Sequence, residues 1–120
     1  MRRPELATHR AVAAYLKTVL PDTVFWTTFP AGGGGRTRGA ILKSLGLAPG
    51  VPDVLIVNDG RVYWIELKAA RGRLSEAQGA CHARLWEAGC PVMVAKTIDD
   101  VRSALRDWNI PNRDVHARAA

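Results

Sequence analysis

The chain has 120 residues, 48% hydrophobic and 23% charged, enough to bury a core without metal or disulfide staples and too apolar for a disordered segment. Its 17 lysines and arginines against 11 acids leave a net charge of +6, which favours a polyanionic partner, nucleic acid before an anionic membrane surface. Cys81 and Cys90 show neither CxxC spacing nor accompanying zinc ligands, and neither a membrane-length apolar run nor a signal-peptide core is present, so the chain reads as a cytoplasmic protein with reduced thiols.

Pro4 and Glu5 suit the first turn of a helix that runs to about Leu20, where Pro21 stops it. Val12, Leu16, Val19 and Leu20 form its apolar stripe. Glu5, eleven positions before Leu16, falls about 20° from it in azimuth, and His9 lies on the same side, while Arg10 and Lys17 point elsewhere. Thr23 to Phe29 is β-branched and aromatic and predicts a strand. The "PAGGGG" that follows has the composition of a mobile loop, and "RTRGAILKSLGL" predicts a short basic helix ending near Gly46 with Arg36, Arg38 and Lys43 exposed.

Two strands come next, Asp53–Asn58 and Arg61–Lys68, then a helix with Ser75 as N-cap and Gly89 as its stop. "PVMVAK" predicts a fourth strand, and "TIDDVRSALRDWN" a last helix capped by Thr97 or Asp99. A core of about residues 4–110 and a frayed tail over 111–120 are expected, in one domain spanning 1–120. Trp26, Trp64 and Trp86 read as core and Trp108 as peripheral. The order α-β-(α)-β-β-α-β-α predicts an α/β fold, a mixed four-stranded sheet flanked by helices.

Asp59-Gly60 is a strong signal for a two-residue type I′ hairpin. If Asn58 pairs with Arg61, paired residue numbers add to 119, and Asp53 and Glu66 also add to 119. That register sets the two acids opposite each other, Cβ atoms about 4.5–5.5 Å apart, and strand alternation adds Lys68 to their face. Facing like charges are destabilising and need a raised pKa, a basic partner or a bound cation. Carboxylate oxygens suit Mg²⁺ or Mn²⁺. The plainer alternative is that Asp53 only opens a strand while Glu66 pairs with Lys68 or an arginine.

Pro52-Asp53, Glu66-Leu67-Lys68 and "GRLSEAQ" with Ser75 and Gln78, taken together, resemble the VRR-NUC branch of the PD-(D/E)xK nuclease superfamily. Glu5 in the first helix and Gly46 and Gly50 ahead of Pro52-Asp53 agree, and the likeness covers about residues 4 to 105. The resemblance implies a restriction-endonuclease-like core and a phosphodiesterase in which Asp53, Glu66 and the Leu67 carbonyl hold Mg²⁺ or Mn²⁺. Lys68 would orient the attacking water and offset charge on the phosphate.

Several of these residues carry two readings. Gln78 completes an S-x-x-Q capping box with Ser75, and the family also places this glutamine beside the metal site. Glu5 is either a solvated first-turn acid or a member of the metal surroundings. His9 stands where the family leads one to expect glutamine or a similar polar residue, and reads by default as a buried, hydrogen-bonded histidine. Arg36, Arg38, Lys43, Arg71 and Arg73 are each ordinary surface cations singly, but as a set they favour DNA contact.

These readings converge on a metal-dependent DNA endonuclease, structure-selective on branched or Holliday-junction DNA. By analogy with small junction resolvases it would act as a homodimer in a bacterial or phage-infected cell. The alternatives are a less selective nicking enzyme on linear or single-stranded DNA, a DNA-binding module without turnover, and an RNA-processing nuclease.

Overall fold

The computed structural model describes residues 3–29 and 35–118, with side chains described over 5–29 and 38–118. The loop expected over "PAGGGG" therefore lies outside the described residues except for its last glycine, Gly35, which opens a helix, and the side chain of Arg36 lies outside them too. The elements are α1 (Arg3–Val19), β1 (Phe25–Thr28), α2 (Gly35–Ser44), β2 (Val54–Asn58), β3 (Arg61–Leu67), α3 (Glu76–Glu87), β4 (Val92–Ala95), α4 (Ile98–Asp107) and a 3-10 turn, η1 (Val115–Ala117).

The sheet is mixed, in the order β1-β2-β3-β4, with antiparallel β1–β2 and β2–β3 pairs and a parallel β3–β4 pair. The β2–β3 hairpin takes the expected register, Asn58 opposite Arg61 and Val54 opposite Ile65. Its two loop residues both have positive φ, Asp59 at 50° and Gly60 at 74°, the type I′ geometry whose twist matches that of the flanking strands. β1 and β2 are each shorter than their apolar runs suggest, although the Asp53 carbonyl, just before β2, still accepts from the Phe29 amide at 2.8 Å.

Alternation then separates two faces. Val54, Ile56, Tyr63, Ile65 and Leu67 point into the core, where Val12, Leu16 and Val19 of α1 and Val101, Ala104 and Leu105 of α4 meet them. The opposite face carries Trp64, Glu66 and Lys68, and α3 lies over it. Burying a Leu or Ile side chain in such a core contributes about 1.5–3 kcal/mol each. Among the described residues no helix is long and apolar enough to cross a membrane.

Three expectations need correction. The tail does not fray over the described residues: the Arg113 amide donates to the Val19 carbonyl at 2.8 Å, and Ala117 is buried in the core. Asp114 anchors it, accepting from the Tyr15 hydroxyl at 2.6 Å and from Arg102 Nε at 2.8 Å, with the guanidinium also stacked over the Tyr15 ring. Trp86 is 55% exposed rather than core, since it sits on the outer side of α3. Trp108 is part of the packing instead of peripheral, its ring 4.9 Å from that of Tyr63.

Candidate active site

The site grows out of the open end of the hairpin. β2 begins one residue after Asp53, so its side chain is free to cross to β3, where Oδ2 accepts from the Leu67 amide at 2.8 Å. Glu66 comes from the same end of β3 and is 1% exposed. Lys68 follows two residues later on the Glu66 face, buried along its stem, with its amide donating to the Ala95 carbonyl at 3.0 Å. The pairing read from the turn thus reaches its chemical consequence: Asp53 and Glu66 are close enough to hydrogen-bond side chain to side chain.

Burial first, and then that hydrogen bond and the charge of Asp53, push the Glu66 carboxyl up to about 9. Lys68 pulls the other way and is outweighed. Without a cation, Glu66 therefore keeps its proton at neutral pH, because a second anion so near Asp53 at a buried position is costly. A divalent cation satisfies the same need, and the donor chemistry fits one: two hard carboxylates with the Leu67 backbone in the same cavity wall. No group of three or more His, Cys, Asp or Glu side chains suited to a metal occurs among the described residues. A Mg²⁺ or Mn²⁺ here would complete its shell with water or phosphate oxygens, as such ions commonly do.

α3 supplies the rest. Ser75 caps it and accepts from the Gln78 amide at 3.1 Å, while Gln78 Oε1 accepts from the Ser75 amide at 2.9 Å. The same carboxamide turns its Nε2 to Glu66 Oε2 at 3.5 Å, so the capping and site readings of Gln78 hold together. One turn further on, His82 Nε2 lies 3.0 Å from Glu66 Oε1, with His82 only 8% exposed. Burial, then Lys68, lowers the imidazole pKa below its ordinary value. With Glu66 raised and His82 lowered, the contact in the metal-free protein is a hydrogen bond between neutral groups rather than an ion pair.

His82 is the residue that sequence reasoning missed. Its signal was present: it lies four positions after Gln78, and residues so spaced share a helix face.

A cavity of about 660 Å³ opens over the carboxylates. Glu5 and His9 of α1 reach it, and Glu5 adds its charge to those raising Glu66. His9 is half-buried, and its Nδ1 is enclosed without a hydrogen-bond partner among the described residues, unlike the satisfied histidine expected there. Arg38 and Lys43 of α2 line the cavity, whereas Arg71 and Arg73 are exposed and do not. Gly50 closes one side against α3: at φ +78°, a Cβ there would lie 2.3 Å from the Ala77 carbonyl oxygen.

Comparisons with known proteins agree with this architecture. A solved structure of a VRR_NUC domain protein matches with a TM-score of 0.70 at 23% identity, over 90% of this chain and 89% of that one, a likeness of fold that accords with a restriction-endonuclease-like core. No curated protein matches the chain. The family model of the VRR-NUC domain matches residues 37–98, more than half of the 120-residue chain. That span takes in the hairpin, the floor of the cavity and all of α3, and the chain belongs to the VRR-NUC nuclease family.

Proposed function

We propose that this protein is a divalent-metal-dependent DNA endonuclease, a single cytoplasmic domain that cuts branched or Holliday-junction DNA as a homodimer. The observation that carries the reading is the Asp53–Glu66 pair at one end of a hairpin, Glu66 buried and Asp53 half-buried, beside Lys68 and open to a cavity rimmed by Arg38 and Lys43. Asp53, Glu66 and the Leu67 carbonyl would hold Mg²⁺ or Mn²⁺. When bound, the ion supplies Lewis-acid stabilisation for charge developing on the phosphate.

The chain's own residues do the remaining work. Asp53 is held by the Leu67 amide and Glu66 by α3, so both carboxylates are preorganised before substrate arrives. Lys68, on the same face, would steady the attacking water and offset phosphate charge. Arg38 and Lys43 bind the flanking backbone, a contact that positions without reading sequence.

The test is cleavage of junction, flap, linear and single-stranded DNA, with RNA alongside, in Mg²⁺ or Mn²⁺. Wild type should cut junctions fastest, and Asp53→Ala and Lys68→Ala should each lose at least about a hundredfold in rate. Equal activity in all three proteins sinks the assignment. Equal cutting of every DNA leaves the nuclease and removes the junction preference.

A further inference from the structure

We propose that His82 is a positioning residue for the metal site, fixing which oxygen of Glu66 faces the ion. The inference rests on the metal-dependent reading of the site. Glu66 has two carboxylate oxygens in a buried position, and α3 engages each differently. Oε1 has the short 3.0 Å contact with His82 Nε2, while the contact that α3 makes with Oε2 is the 3.5 Å one from Gln78. An ionised carboxylate accepts and does not donate, so with a cation bound His82 must present its Nε2–H to Oε1. Oε1 is then committed to the helix, and Oε2, more weakly held, is the oxygen left for ligation.

The helix that carries this donor is itself held in place. The reciprocal Ser75–Gln78 capping bonds lock its first turn, and Gly50 sits directly against the backbone of Ala77 and Gln78. Residues 50 to 53 therefore set the height of α3 at one end and supply Asp53 at the other. The imidazole is buried and aimed at Glu66 from four residues beyond Gln78, an arrangement a loop residue could not keep as rigidly. A second donor that fixes a ligating carboxylate typically carries about ten- to a hundredfold in metal affinity.

The experiment measures Mn²⁺ binding by calorimetry, without DNA, on wild type, Asp53→Ala, His82→Phe, His82→Asn and His82→Gln, with melting temperatures in EDTA. A glutamine amide reaches about as far as Nε2 and an asparagine amide does not. His82→Phe and His82→Asn should bind Mn²⁺ about ten- to a hundredfold more weakly, and His82→Gln within about threefold of wild type. Should His82→Phe fail to fold, the contrast between Asn and Gln decides. Wild-type affinity in both Phe and Asn variants, or equal losses in Asn and Gln, overturns the positioning role alone. Wild type that binds Mn²⁺ no better than Asp53→Ala overturns the metal reading along with it.

Discussion

Replacing Glu66 with glutamine should make the metal-free protein more stable while abolishing its chemistry. Glu66 titrates near 4.5 in an unfolded chain and at about 9 in the fold, so the folded state keeps a proton that the unfolded state has released. Stability from this group is fully present below pH 4.5, declines as pH rises, and levels off above about 9. At about 1.4 kcal/mol per pH unit, the cost at pH 7 is on the order of 3 kcal/mol. Glutamine mimics the neutral acid: it can accept from His82 and donate towards Asp53, losing only the long Gln78 contact. In EDTA at pH 7 the variant should melt on the order of 10 °C above wild type, and its melting temperature should vary less between pH 5 and 9. Mn²⁺ should then raise the melting temperature of wild type but not of the variant. Differential scanning calorimetry across that pH range reads both effects. A variant no more stable than wild type at pH 8, with the same pH slope, would refute the account of Glu66 as a carboxyl that keeps its proton in the fold.

Three further outcomes are expected. Tyr15 and Arg102 hold Asp114 down at about 2, so its anchoring of the tail is complete above its ordinary 3.8 and lost as pH falls through about 2. Asp114→Ala should expose residues 112–118 to limited proteolysis at neutral pH while leaving Mn²⁺ affinity unchanged. Gly50→Ala forces a Cβ into the backbone of α3 at a positive φ and should cost on the order of 2–4 kcal/mol in urea melts, with Mn²⁺ binding weakened because Gln78 and His82 move. Arg38→Ala and Lys43→Ala should each weaken junction binding and lower the salt slope by about one, while Arg71→Ala and Arg73→Ala should do less, as measured by titration at several salt concentrations.

What was legible in the sequence was local. Asp59-Gly60 is bound to a two-residue turn by its own backbone preferences, and a two-residue turn leaves one register, which carries Asp53 to Glu66. Ser75 and Gln78 announce a helix start, and of the two caps offered for the last helix, Thr97 and Asp99, Thr97 is the one used, because capping needs only neighbours in the chain. The apolar stripe of α1 and the azimuth of Glu5 and His9 follow from helical period alone.

Contacts between distant segments were decided by the tertiary structure. The composition of the tail says nothing of Tyr15 and Arg102, which wait 99 and 12 residues away to hold Asp114. Trp86 is as apolar as Trp64, and only the docking of α3 turns it outward. Arg71 and Arg73 follow Lys68 closely along the chain, yet they are exposed and do not line the cavity, whereas Arg38, distant in sequence, does. His82 shares a helix face with Gln78 by spacing, but that this face lies over Glu66 depends on the approach of α3 to Gly50. Sequence alone therefore determined the two acids and their register, through a turn with a single backbone solution. The fold determined what surrounds them, because the position of a helix over a sheet is set by packing that no local pattern encodes.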